Sequence, residues 1–321
     1  LQNSKGFPMG VTFTGYLAPA DFAEDLKTEI LLHKDLKILH QFENLFLVEG
    51  PFKKLCWSQN EWLSPQKFQI KSIGDAVKIL KAHGKWWAPY SATLHRRVTL
   101  IQEQLPKIKS IEQKFLAPLP DRQLGGWTLQ DAETLWLSPT TTSSFPNGVI
   151  TMSENKIAPS RAYQKLWEFF TRTGHRPQKG DKCLDLGSSP GGWTWVLAEL
   201  GAHVVSVDKA PLAPLLQKNP RIQSLKKDAF QLKPQEIGAI DWLFSDIICY
   251  PDKLLELVQI WRASGLVKNM LCTIKFQGKT DFETLQKFCE LPDSQILHLC
   301  CNKHELTWFQ GSCPLDKRSQ S

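Results

Sequence analysis

Long apolar runs are missing from this 321-residue chain. Nothing approaches the ~20 consecutive apolar residues that cross a bilayer as a helix, and no signal-peptide pattern opens the sequence. No membrane partner is expected, and a cytoplasmic protein is. Paired cysteines are missing too. The eight cysteines include no C-x-x-C, and the adjacent Cys300 and Cys301 are poorly placed to bridge each other or to chelate one metal. Cys183 and Cys272 fall in apolar segments, where a thiol serves as a small hydrophobe. Reduced structural thiols and no bound metal are the expectation. Repeats and low-complexity tracts are also absent, which excludes solenoids and fibrous classes.

Acidic residues are outnumbered. Lys and Arg total 39 against 32 Asp and Glu, a net charge of +7. That balance permits a nucleic-acid partner without requiring one. The basic stretch His95-Arg96-Arg97 with Lys107, Lys109 and Lys114 reads as a solvated helix face or as an RNA backbone contact. Tryptophan is in surplus, with 12 residues. Trp86-Trp87 beside Lys85 offers a stacking surface for bases, although core packing is the commoner use of such rings.

The length suits two domains. In the first half, Val11–Leu17 reads as a strand and Asp21–Leu32 as a helix capped by Asp21. Asn44–Val48 returns as a strand, and Ser72 with Asp75 opens a second helix. Residues 1–145 therefore form an α+β domain. The Pro-, Ser- and Thr-rich Pro139–Gly148 marks the crossover. From 146 to 321 strands alternate with helices: Cys183–Leu186, His203–Val207, Ile222–Leu225, Ile240–Phe244 and Met270–Ile274. Gln295–Cys301 and Glu305–Gln310 close the chain as a hairpin turning tightly at Asn302-Lys303. This pattern implies a doubly wound, mainly parallel sheet.

Its organising stretch is Gly187-Ser188-Ser189-Pro190-Gly191-Gly192-Trp193, between a buried strand and a helix. Such a turn surrounds a ligand with backbone N–H groups at the carboxyl edge of the sheet. A dinucleotide fingerprint fails because Ser189 stands where its second glycine belongs. A phosphate-cradling loop fails because Trp193 follows Gly192 where lysine is required. A ligand without phosphates is favoured. Asp208, about 20 residues beyond the turn, ends the next strand and suits ribose hydroxyls. Asp228 ends the strand after that and suits an adenine amine. Singly, each acid could merely end a strand or cap a segment. Together they point to adenosine without phosphates, as in S-adenosyl-L-methionine.

The string Asp185-Leu186-Gly187-Ser188-Ser189-Pro190-Gly191-Gly192-Trp193-Thr194 resembles the cofactor motif of FtsJ/RrmJ-type RNA 2′-O-ribose methyltransferases. Ser160-Arg161-Ala162-Tyr163-Gln164-Lys165-Leu166 is similar to that family's S-R-A-x-x-K-L helix. Asp241-Trp242-Leu243-Phe244-Ser245-Asp246 and Ile274-Lys275 look closest to its RlmM-like branch, which modifies a cytidine in large-subunit ribosomal RNA. The resemblance spans Pro159 to Gln310 and implies an α/β, Rossmann-like fold of the S-adenosylmethionine-dependent methyltransferase type. It implies a catalytic tetrad of Lys165, Asp246, Lys275 and Glu305. Cofactor contacts are then expected from Ser160, Gly187, Ser189, Pro190, Gly191, Gly192, Trp193, Asp208, Asp228 and Asp246. It further implies an RNA substrate, large-subunit rRNA or its precursor particle, with residues 1–145 holding RNA. The approach to Glu305, Asn302-Lys303-His304, departs from the Arg/Ser-containing approach of the family, and His304 is expected to be a turn residue. Two other accounts stay open: a catalytically inactive cofactor- and RNA-binding module acting in ribosome assembly, and methylation of a protein or small molecule.

Overall fold

The computed structural model describes residues 12–109 and 111–311. Val11, the first residue of the first expected strand, lies outside the described residues. The chain divides into two units, one reaching to Gln113 and resuming over Pro118–Thr151, the other made of Lys114–Ala117 and the residues from Met152 onward.

The first unit carries two four-stranded sheets. Strands β1 (Phe13–Leu17), β2 (Lys37–Phe42), β3 (Leu45–Glu49) and β4 (Asn60–Trp62), with helix α1 (Ala23–Leu32), form a sheet ordered β2-β3-β1-β4. Strands β5 (Gln66–Gln69), β6 (Trp87–Pro89), β7 (Gly125–Asp131) and β8 (Thr134–Ser138), with α2 (Ile73–His83) and α3 (His95–Gln102), form one ordered β5-β8-β7-β6. The expected cap of α1 is corrected: Asp21 sits at φ 68° and the N-cap is Phe22, with no side-chain cap. The Phe22 ring packs 4.9 Å from that of Trp57, so aromatic packing rather than a carboxylate sets the entry to the helix. The start of α2 is capped reciprocally. Ser72 Oγ accepts from Asp75 N at 3.1 Å and Asp75 accepts from Lys71 N at 3.0 Å. Trp62, Trp87, Trp127 and Trp136 are buried in these sheets, which accounts for part of the tryptophan surplus. Trp87 is a core ring whose indole donates to Gly84 O; its neighbour Trp86 is half-buried under Lys85, 5.1 Å from the ring centre.

In the second unit α4 (Tyr163–Thr173) stops at Gly174, whose φ of 73° is a left-handed C-cap. There follow β9 (Lys182–Leu186), α5 (Gly192–Glu199), β10 (His203–Asp208), α6 (Pro214–Gln217), β11 (Ile222–Lys226), α7 (Pro234–Ile237), β12 (Ile240–Ser245), α8 (Pro251–Ala263), β13 (Val267–Lys275), α9 (Phe282–Cys289), β14 (Ser294–Leu297) and β15 (Glu305–Gln310). The sheet is ordered β11-β10-β9-β12-β13-β15-β14. Its first five strands run parallel, and β15 runs antiparallel to both neighbours. Cys183, Leu184, Leu186, Leu243, Phe244, Met270, Leu271 and Cys272 are buried, as befits central parallel strands covered on both faces. Each large apolar side chain there contributes about 1.5–3 kcal/mol by leaving water. Lys114–Ala117 joins this unit through Phe115, stacked 4.8 Å from Trp167, and Leu116 N, which donates to Thr171 Oγ1.

The closing hairpin is looser than expected. β14 stops at Leu297, and residues 298–304 leave the ladder. The cause is the buried Glu168 on α4. Its carboxylate accepts from Cys300 N at 2.9 and 3.0 Å, while Arg172 donates to His298 O. These bonds satisfy the segment against the helix instead of a partner strand. Among the described residues no helix is long and apolar enough to cross a membrane.

Candidate active site

Strand order reverses between β9 and β12, and in open α/β sheets ligands bind outside the carboxyl ends of the strands at such a point. Leu186 and Ser245 are paired in register, so Gly187 and Asp246 leave the sheet side by side. A cavity of about 490 Å³ opens there, lined by Ser160, Gly187, Ser189, Pro190, Gly192, Trp193, Asp208, Asp228, Asp246 and Lys275 among others. That volume lies in the range of small-molecule sites.

The glycines let neighbouring segments pack against the turn closer than a side chain allows. A Cβ on Gly187 would meet Ile247 Cγ1 at 2.5 Å, and one on Gly192 would strike Ser160 Oγ. Gly191 differs from its neighbours. It turns the chain at φ 111° against Leu216 and Leu212 and is not part of the cavity wall. Trp193 is buried, with its indole donating to Ala162 O at 2.9 Å, so it ties the turn to the start of α4.

Asp208, the last residue of β10, accepts from Ser189 N at 3.0 Å and Ala210 N at 2.9 Å. The acid thus shapes the turn as well as lining the cavity. Asp228 caps the short turn that follows β11 by accepting from Phe230 N, and pairs with Lys209 at 2.7 Å. Lys209 holds its carboxyl below the usual range, with the Phe230 N–H acting in the same sense. Ligand contact and capping are compatible here, because a carboxylate has about four acceptor sites.

The four remaining expected residues form one chain of charge. Lys165 Nζ reaches Asp246 Oδ1 at 2.9 Å and Glu305 Oε1 at 2.7 Å. Lys275 Nζ reaches the same Asp246 Oδ1 at 3.0 Å and donates to Asp246 O at 2.6 Å. Register explains the last partner: Lys275 and Glu305 sit opposite each other across β13 and β15. All four side chains are 11–18% exposed, well beyond the exposed pairs whose contribution is near zero. Burial pulls the Lys165 ammonium down, but Asp246 and Glu305 outweigh it, and its pKa stands above the ordinary lysine value. Asp246 and Lys275 line the cavity, whereas Lys165 and Glu305 are joined to it through Asp246. Lys165 therefore faces inward, its side chain 12% exposed between the two carboxylates.

Asp185 belongs to the cavity as well, although its sequence context marks only a strand. It is 1% exposed and accepts from Thr194 Oγ1 at 2.6 Å. Burial pushes its pKa to about 7; the Thr194 hydroxyl opposes this, and the nearby Asp246 adds to it. Thr194, Ser206 and Ser188 continue the hydrogen-bonded chain beneath the turn. An acid inside an apolar strand was the visible signal. Lys209, Lys227 and Phe230 also line the cavity, and nothing in their spacing distinguishes them.

The FtsJ-like methyltransferase family matches residues 158–304. The protein named Ribosomal RNA large subunit methyltransferase M of Halorhodospira halophila is 32% identical over 146 residues, 44% of this chain and 42% of that one. Its namesake in Thauera aminoaromatica is 30% identical over 197 residues, 56% and 54% of the two chains. That of Shewanella oneidensis is 28% identical over 271 residues, 77% and 71%. The chain spans about half the length of the first two relatives.

Proposed function

We propose, from the match of residues 158–304 to the FtsJ-like methyltransferase family, that this protein transfers a methyl group from S-adenosyl-L-methionine to a ribose 2′-hydroxyl of RNA, in large-subunit rRNA or its precursor particle. The observation that carries this is the buried chain Glu305–Lys165–Asp246–Lys275 opening onto a glycine-walled cavity at the switch point of the sheet. The names of the relatives support the choice of RNA.

The donor fits the cavity. Its wall includes glycines packed too closely on Ile247 and Ser160 to carry a Cβ, and Asp208 at the end of β10 and Asp228 just beyond β11 are available to ribose hydroxyls and an adenine amine. When bound, the donor supplies a sulfonium methyl open to displacement. Lys275 Nζ, on the cavity wall beside Asp246, is the group placed to accept the hydroxyl proton as the acceptor oxygen takes the methyl and the thioether leaves. A ribose hydroxyl is a poor nucleophile at neutral pH, so a base within hydrogen-bond reach speeds the step. Lys165, kept as an ammonium by its two carboxylates, contributes positive charge that favours the developing alkoxide. Asp246 orients both lysines, and Glu305 anchors Lys165 from behind. Alignment of acceptor oxygen, methyl and sulfur supplies much of the remaining acceleration. The basic face of the first unit, with Arg96, Lys107 and Lys109 exposed, suits RNA phosphates beyond the reacting nucleotide.

Mapping 2′-O-methyl sites across ribosomal RNA from cells with and without this protein tests the proposal. One site lost with the protein and restored by it supports the function; an unchanged map with no labelled methyl accepted by any RNA overturns it in favour of a binding module.

A further inference from the structure

Lys275 lines the cavity described above, and its chain neighbour Phe276 lines a second. The larger ends on Asp246, Ile247, Ile248 and Lys275. The second, of about 260 Å³, is lined by Tyr250, Pro251, Phe276, Gln277 and Lys279 with two acids. Its walls are the next residues of the same two segments. Tyr250 lies two positions beyond Ile248 on the connection after β12, and Phe276 directly follows Lys275 at the end of β13.

We propose that this second cavity receives the acceptor nucleoside, splayed from a single-stranded stretch of RNA, with its base on the Tyr250 ring and its ribose toward Lys275. The inference rests on the 2′-O-methyl transfer proposed above. In-line displacement puts donor and acceptor on opposite sides of the travelling methyl, so the acceptor needs its own opening beside the base. Tyr250 is 59% exposed and Ile248 80%. They project from a connection whose next residue, Pro251, is buried at the start of α8. An exposed aromatic ring on the cavity that Phe276, the residue after Lys275, also lines suits an unstacked base, because every base offers a π-face. Phe276 closes the cavity from inside at 7% exposure, its ring 5.4 Å from that of His304. Phe276 N donates to His304 O at 3.1 Å, and Thr280 Oγ1 lies 2.9 Å from His304 Nε2. His304 precedes Glu305, so the cavity wall and the lysine network share one frame. Gln277 and Lys279 are exposed and bring an amide and a cation to the flanking phosphodiesters. The two acids, Asp252 and Asp281, are engaged at helix starts, accepting from Lys253 N and Thr284 N.

The test compares full-length wild type, Tyr250→Ala and Tyr250→Phe in transfer of labelled methyl from S-adenosyl-L-methionine to deproteinised large-subunit rRNA from cells lacking the protein. Affinity for the donor is measured in parallel by calorimetry. Loss of one base–ring stack should raise KM for RNA about tenfold or more in Tyr250→Ala, with donor affinity unchanged and most of the loss recovered in Tyr250→Phe. Equal KM for wild type and Tyr250→Ala overturns the second cavity alone, as does a loss confined to kcat. Absence of transfer by wild type both to this RNA and to precursor particles from the same cells overturns the 2′-O-methyl function itself, and the acceptor cavity with it.

Discussion

Replacing Lys275 by arginine separates a base from a mere positive charge. Lys275 Nζ makes two bonds to one residue, 3.0 Å to Asp246 Oδ1 and 2.6 Å to Asp246 O. A guanidinium keeps the charge and can still reach that carboxylate, yet it does not give up its proton in proteins. Asp246 retains Lys165 at 2.9 Å, so the fold should survive, at a cost of about 1–3 kcal/mol for the altered hydrogen bonds. A positioned general base accelerates proton transfer by roughly 10²- to 10⁴-fold, equivalent to about 3–5 kcal/mol of barrier. Lys275→Arg and Lys275→Ala should therefore both slow single-turnover methyl transfer to large-subunit rRNA by that factor at saturating donor. Their donor affinity should stay within about threefold of wild type, which assigns the loss to the chemical step. An arginine variant within about tenfold of the wild-type rate would show that charge alone suffices, and would refute Lys275 as the base.

Three further outcomes are expected. Asp185, with a folded pKa of about 7 against an ordinary 3.8, binds its proton more tightly in the native state. The stability it contributes is complete below pH ~4 and is lost as pH rises through ~7, on the order of 4 kcal/mol between those limits. Asp185→Asn should remove that slope in urea unfolding between about pH 4.5 and 8, and parallel profiles for variant and wild type would contradict it. Asp208→Ala frees Ser189 N and Ala210 N and removes the carboxylate proposed to accept from the donor's ribose, so calorimetry should find donor affinity lower by about 10- to 100-fold, in line with about 1.5–3 kcal/mol for a hydrogen bond to a charged group. Gly191→Ala places a Cβ against Leu216 at φ 111°; strain and overpacking together should cost about 2–5 kcal/mol in denaturant unfolding, and a midpoint equal to wild type would contradict the need for glycine there.

Local pattern was enough for the alternating strands and helices of the second unit, because a parallel strand buried on both faces must be a short apolar run and an amphipathic helix must repeat at 3.6 residues. Ser72 as a cap is likewise visible in sequence, since caps depend on near neighbours. The resemblance, more than spacing, singled out Lys165 and Glu305, which lie 140 residues apart in sequence. Tertiary structure decided the rest. The loosened hairpin follows from Glu168 drawing Cys300 N away from the ladder, and the missing Asp21 cap from the packing of Phe22 on Trp57. The inward turn of Lys165 and the protonation preference of Asp185 come from burial beside particular charges. The order of residues settles which elements form and which side chains can bear charge at strand ends. Only the folded sheet settles which of those charges share a single carboxylate oxygen, because Coulomb interactions and desolvation depend on separations of a few ångströms that periodicity along the chain does not encode.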